Sequence, residues 1–109
     1  MKKLIVSSVL AFITFSAQAA AFQVTSNEIK TGEQLTTSHV FSGFGCEGGN
    51  TSPSLTWSGA PEGTKSFAVT VYDPDAPTGS GWWHWTVANI PATVTYLPAD
   101  AGRRDGTKL

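Results

Sequence analysis

What is scarce in this chain bounds it before any motif does. Cys46 is the only cysteine among 109 residues, so no disulfide can close within the chain. With no His or Asp near it in sequence, it offers no catalytic thiol either. Charge is sparse and balanced: 7 basic against 8 acidic residues, a net of −1, with no basic stripe. Such a chain is a poor candidate for binding nucleic acid or anionic lipid by charge alone. No apolar run reaches the ~20 residues needed to span a bilayer. Internal repeats, low-complexity tracts and amphipathic helical periodicity are also missing, and only two histidines, His39 and His84, are present. Whatever chemistry the chain carries rests on few residues.

The longest apolar stretch lies at the start. Lys2 and Lys3 precede Leu4 to Phe15, and Ala17-Gln18-Ala19 supplies small residues around a cleavage point. Residues 1–21 therefore read as a secretory signal peptide, cut after Ala19 or after Ala21. The competing reading, a retained membrane anchor, fits the short run and the small-residue flank less well. Losing Lys2 and Lys3 takes 7 basic and 8 acidic residues to 5 and 8, a net of −3. The predicted destination is the periplasm, with no stable membrane insertion once the leader is removed. In that oxidising compartment an odd thiol has its partner elsewhere, so Cys46 is a disulfide candidate whose partner is absent from this chain.

The remainder reads as one small, mainly β domain of short strands and turns, with 11 glycines and 6 prolines. Ser66 to Tyr72 is the clearest strand; Phe67, Val69 and Val71 share one face, Ala68, Thr70 and Tyr72 the other. Apolar groups on both faces predict a central strand covered on both sides. Trp83 to Ile90, ended by Pro91, is a second strand. Regular alternation places Trp83, Trp85 and Val87 on one face and His84 on the other. Phe22 to Thr25 and Leu55 to Trp57 are weaker strands, Gly43 to Pro53 a long polar loop, and Ala60-Pro61-Glu62-Gly63 a turn. From Ala99 onward the pattern fades and offers nothing apolar to bury.

Between the two main strands runs Asp73-Pro74-Asp75-Ala76-Pro77-Thr78-Gly79-Ser80-Gly81-Trp82-Trp83-His84-Trp85. If the strands are antiparallel neighbours, Asp73 at the end of one meets His84 at the start of the next. A carboxylate beside an imidazole favours the imidazolium and fixes its orientation, so the pair can hold a phosphate or carboxylate. A metal reading of Asp73, Asp75 and His84 lacks a recognised ligand spacing and a full ligand set. A hydrolase using the same three needs two carboxylates in different environments, which nothing in the sequence supplies. The plainer readings are that Asp73 and Asp75 bond a turn, that Ala76-Pro77 is a cis bond, and that the tryptophans, Trp57 included, pack a core. Exposed tryptophans would instead suggest a sugar-binding face. Asn50-Thr51-Ser52 matches a glycosylation acceptor by accident in a bacterial-type secreted chain, and His39 has no companion.

Four motifs in order, Asn50 to Trp57, Thr64 to Ala68, Asp73 to Pro77, and Trp82 to Trp85 with Asn89-Ile90-Pro91, resemble the phosphatidylethanolamine-binding protein family. The likeness is closest to its bacterial Raf-kinase-inhibitor-like branch, in an exported version, and runs from about residue 22 to 109. It implies a fold around a large antiparallel sheet, of which residues 22–109 are the N-terminal part, and a small anion pocket at one edge. It further implies binding without turnover, no cofactor and no metal. The ligand would be a small anion or a phospholipid head group, with another protein as the alternative partner, for a modulator or inhibitor of a protease or kinase acting outside the pocket. Carried over residue by residue, Asp73, His84, Asp75 and Pro77 are ligand-binding, and Pro74, Ala76, Trp82 and Trp83 shape the pocket. The Ala76-Pro77 bond is commonly cis in that family. A second pocket segment with a Gly-x-x-x-His-Arg-Tyr pattern has no match here. The expectation is a shortened version of a protein nearly twice as long, with unpaired sheet edges, one pocket wall missing, and poor folding on its own.

Overall fold

Runs of β-branched and aromatic residues punctuated by Gly and Pro resolve into short strands. A computed structural model describes residues 20–103, and the predicted signal peptide falls almost wholly outside them. Its last two residues, Ala20 and Ala21, are exposed. The strands are β1 (Gln23–Thr25), β2 (Ser42–Gly43), β3 (Cys46–Glu47), β4 (Leu55–Ser58), β5 (Ser66–Asp73), β6 (Trp82–Pro91) and β7 (Tyr96–Leu97), with one 3-10 turn at Thr37–His39. They form an antiparallel three-stranded sheet in the order β1-β4-β7 and two antiparallel hairpins, β2-β3 and β5-β6.

Period-two alternation decides which face is inside. On β4, Leu55 and Trp57 turn inward while Thr56 and Ser58 are exposed. On β5, Phe67 and Val69 are half-buried between exposed Ser66, Ala68 and Thr70. The core lies where these faces meet: Trp57, Ile90 and Leu97 are buried, with Leu55, Phe67, Val69, Trp85, Val87, Val94 and Ala101 packed around them. Phe67 bridges the layers, edge-on to Trp57 with centroids 5.4 Å apart and stacked on Phe22 at 6.1 Å. Each large side chain so covered contributes about 1.5–3 kcal/mol.

Four expectations are corrected. β5 is not covered on both sides: among the described residues it pairs with β6 alone, and Val71 and Tyr72 are exposed. The segment read as a long polar loop begins as the small hairpin β2-β3, which holds Cys46 exposed and free among the described residues. His39 does have a partner: its Nδ1 lies 2.7 Å from the Thr51 carbonyl, at the end of a ladder in which Gly49, Asn50 and Thr51 N–H groups donate to Thr37, Val40 and Ser38. Past β7, Ala101 packs on the core, so the C-terminal stretch is not wholly without apolar cover.

A carboxylate ties the chain after β1 to β4. Glu28 Oε2 accepts hydrogen bonds from the Ser54 N–H at 2.9 Å, the Ser54 hydroxyl at 2.6 Å and the Ser26 hydroxyl at 3.1 Å. The Ser54 hydroxyl, foremost, holds the Glu28 carboxyl below its ordinary value of 4.5, against an opposing desolvation. A carboxyl lowered on folding contributes stability that is present above its ordinary value and lost as pH falls through the folded one. The denaturation midpoint of the parent is therefore expected to drop on acidification from about pH 5 to about pH 3 more steeply than that of Glu28→Gln. Parallel pH profiles for the two would remove Glu28 from the account.

Candidate functional site

Asp73 closes β5, Trp82 opens β6, and the loop between them is tied down at both ends. The Asp73 carboxylate uses both oxygens: Oδ1 accepts the Asp75 N–H at 2.9 Å, and Oδ2 lies 3.5 Å from His84 Nε2. The first bond is an Asx turn, which sets Pro74 and Asp75 as the leading corner of the loop. At the far corner Thr78 N–H donates to the Ala76 carbonyl, the Thr78 hydroxyl to the Gly81 carbonyl, and the Tyr72 hydroxyl to the Ser80 carbonyl at 2.6 Å. Fixing one carboxylate oxygen by a backbone donor leaves the other aimed at the imidazole.

His84 reaches that oxygen because β6 is irregular. Val71 stands opposite Trp85 and Tyr72 opposite Trp83, so His84 is an extra residue, a β-bulge. A second shift separates Phe67 opposite Ile90 from Val69 opposite Val87, and there Asn89 takes φ 58°. Ten residues of β6 thus oppose eight of β5. This corrects the regular-alternation reading. Residues directly opposite share a face, so Trp83 lies with Tyr72, their rings 4.6 Å apart, while Trp85 lies with Val71 on the other face.

The remaining sequence candidates separate. Trp82 and Trp83 are 54% and 60% exposed and line an open cleft of about 330 Å³ with Thr78, Ser80 and Gly81. Trp57 is in the core and Trp85 half-buried, so the indoles divide between packing and surface. Pro74, Asp75 and Pro77 are exposed and Ala76 half-buried; none of them lines the cleft. Asp73 and His84 do not line it either; they lie next to it, at the strand ends, with side chains 43% and 51% exposed. The Ala76-Pro77 bond is trans, not cis. Among the described residues no three His, Cys, Asp or Glu side chains group as metal ligands. Sequence reasoning missed Tyr72, Ser80 and Gly81 as the clasp of the loop. The available signal was a phenol at the last position before Asp73, facing a Ser-Gly pair eight residues on.

A carboxylate and an imidazole thus meet at the strand ends of an antiparallel β framework. Residues 25–109 match the sequence model described as phosphatidylethanolamine-binding protein, and the chain belongs to that family. It is 95% identical over all 109 residues to the UPF0098 protein YbcL of Escherichia coli K12, 60% of whose length it spans. To the UPF0098 protein YbhB of the same organism it is 57% identical over 77 residues, 71% of this chain and 49% of that one. A solved crystal structure of E. coli YbcL, described as a new member of the mammalian PEBP family, superposes with a TM-score of 0.80 at 96% identity. That match covers 83% of this chain and 55% of the other. The resemblance to the bacterial branch and the mainly β fold are thus borne out.

Proposed function

We propose that this chain is the N-terminal part of an exported, non-catalytic binding protein that takes a small anion, a phosphate or carboxylate group, at His84. One observation carries the reading: a bulge residue at a strand end presents its imidazole to a carboxylate whose other oxygen is already occupied. With Nε2 facing Asp73, the imidazolium keeps its Nδ1–H as the donor for a ligand oxygen. Half-exposed groups are screened, so the pair itself adds little to fold stability, and its worth lies in orienting one donor. The next carboxylate along the loop, Asp75, is exposed and meets Asp73 through its backbone N–H, an arrangement that suits a loop built for binding. The periplasm is the proposed location, on the strength of the leader in residues 1–21.

Titration with inorganic phosphate tests the site. His84→Ala is expected to weaken binding about tenfold or more, the worth of a hydrogen bond to a charged group. Equal affinity in the parent and His84→Ala would reject the site. A second reading, a modulator of another protein, is favoured by the exposed Val71, Tyr72, Trp82 and Trp83. It predicts that a partner is retained when Asp73 and His84 are both replaced by Ala.

A further inference from the structure

We infer that Tyr72 is a positioning residue for this site, selecting the strand register in which His84 meets Asp73. The strand geometry behind this stands by itself; only its effect on a ligand rests on the anion-binding reading. If the pairing of Val71 with Trp85 continued regularly, Tyr72 would face His84 and Asp73 would face Trp83. Consecutive strand residues point to opposite faces, so the imidazole would then share the face of Tyr72 and turn away from the Asp73 carboxylate. Instead His84 is inserted, Tyr72 faces Trp83 and Asp73 faces Trp82.

Three features converge on Tyr72, the first of them possible only in the inserted register. Its ring packs on Trp83 with centroids 4.6 Å apart and planes inclined by 36°. In the regular register Trp83 would lie on the other face and this contact would vanish. Its hydroxyl donates to the Ser80 carbonyl at 2.6 Å, fixing how far along β5 the returning chain arrives. Gly81, just before Trp82, leaves the space in which that hydroxyl sits, since a Cβ there would lie 2.5 Å from it. The aromatic pair thus chooses the residue opposite position 72, and the hydroxyl anchors the loop that delivers it. Tyr72 need not touch the ligand; it acts through the placement of His84.

The experiment compares the labelled full-length protein with its Tyr72→Thr and Tyr72→Phe variants, reading cross-strand NOEs and binding of inorganic phosphate. In the parent, residue 72 shows its cross-strand NOE to Trp83. Tyr72→Thr, which keeps strand propensity but loses ring and reach, is expected to move that NOE to His84 and to weaken phosphate binding about tenfold. Tyr72→Phe keeps the ring contact and loses the Ser80 bond; it should retain the NOE to Trp83, broaden the His84 ring signals and bind phosphate about threefold more weakly. A Thr variant that keeps the NOE to Trp83 overturns the proposal. If the Thr variant does not fold, the Phe variant decides: sharp, unshifted His84 signals overturn it, and broadened ones support it. A parent that fails to bind phosphate while the Thr variant shifts register overturns the anion reading and leaves the positioning role standing.

Discussion

Replacing Ile90 with alanine is expected to abolish cooperative unfolding of this chain. Among the described residues only Trp57, Ile90 and Leu97 are buried apolar side chains, and Ile90 and Leu97 alone are essentially sealed, at 1% and 0% exposure. Ile90 also stands opposite Phe67, the ring that joins the β5-β6 hairpin to the β1-β4-β7 sheet. Large-to-small changes at such positions cost about 2–5 kcal/mol, the transfer term plus whatever cavity the surroundings cannot close. Typical small domains have about 5–15 kcal/mol in total. A chain expected to fold poorly on its own has little of that to lose, and among the described residues eleven large apolar side chains, from Phe22 to Tyr96, are exposed. Denaturant titration of the full-length protein, followed by tryptophan fluorescence, should show a broad, non-sigmoidal change for Ile90→Ala where the parent gives a transition. The exposed Phe44, which touches only Phe41 among the rings, is the control: Phe44→Ala should leave the midpoint nearly unmoved. A sharp transition in Ile90→Ala, displaced by less than the cost above, would mean that the core lies elsewhere.

The division between what alternation predicts and what it does not runs through β5 and β6. Their existence, direction and limits follow from local composition: strands expected at 66–72 and 83–90 are found at Ser66–Asp73 and Trp82–Pro91. β-branched and aromatic residues in alternation leave few other choices. The two-residue strands are another matter. β7 exists because Leu55 and Thr56, some forty residues earlier, offer it an edge, and nothing within Tyr96-Leu97 announces that. β2 and β3 likewise are defined by each other across a two-residue turn.

At the site, supposing the two main strands to be antiparallel neighbours made the meeting of Asp73 and His84 an expectation, and the paired strands β5 and β6 bring them to 3.5 Å. How they meet was not legible. A period-two reading assumes one residue per step on each strand, and the inserted His84 breaks that count, moving Trp83 off the face of Trp85. Asn89 was the one local hint of irregularity, since Asn is among the few residues other than Gly that accept the left-handed conformation. The cis bond expected at Ala76-Pro77 belonged to the family pattern rather than to any constraint in these residues, and the loop closes with it trans.

Gly81→Ala is expected to erase anion binding while leaving the core intact, and the reason is local crowding on top of strain. Gly81 sits at φ +72°, and any Cβ there would lie 2.5 Å from the Tyr72 hydroxyl and 2.6 Å from the Asp73 carbonyl oxygen. The left-handed conformation alone costs a non-glycine residue about 1–2 kcal/mol. The phenol could swing aside, but the Asp73 carbonyl is backbone, so relief requires moving the end of β5 or the start of β6, the two segments that carry Asp73 and His84. Gly63 provides the comparison: it has φ +83° with nothing within 4 Å of its missing Cβ, so Gly63→Ala carries the strain without the collision. Both variants should lose a similar increment of stability to strain, and only Gly81→Ala should lose phosphate affinity, by tenfold or more if the imidazole donor is displaced. Methyl signals of Ile90 and Leu97 report whether the core survives in each. Equal phosphate binding by Gly81→Ala and Gly63→Ala would show that the loop junction does not hold the donor in place, and His84 would then owe its position to the bulge alone.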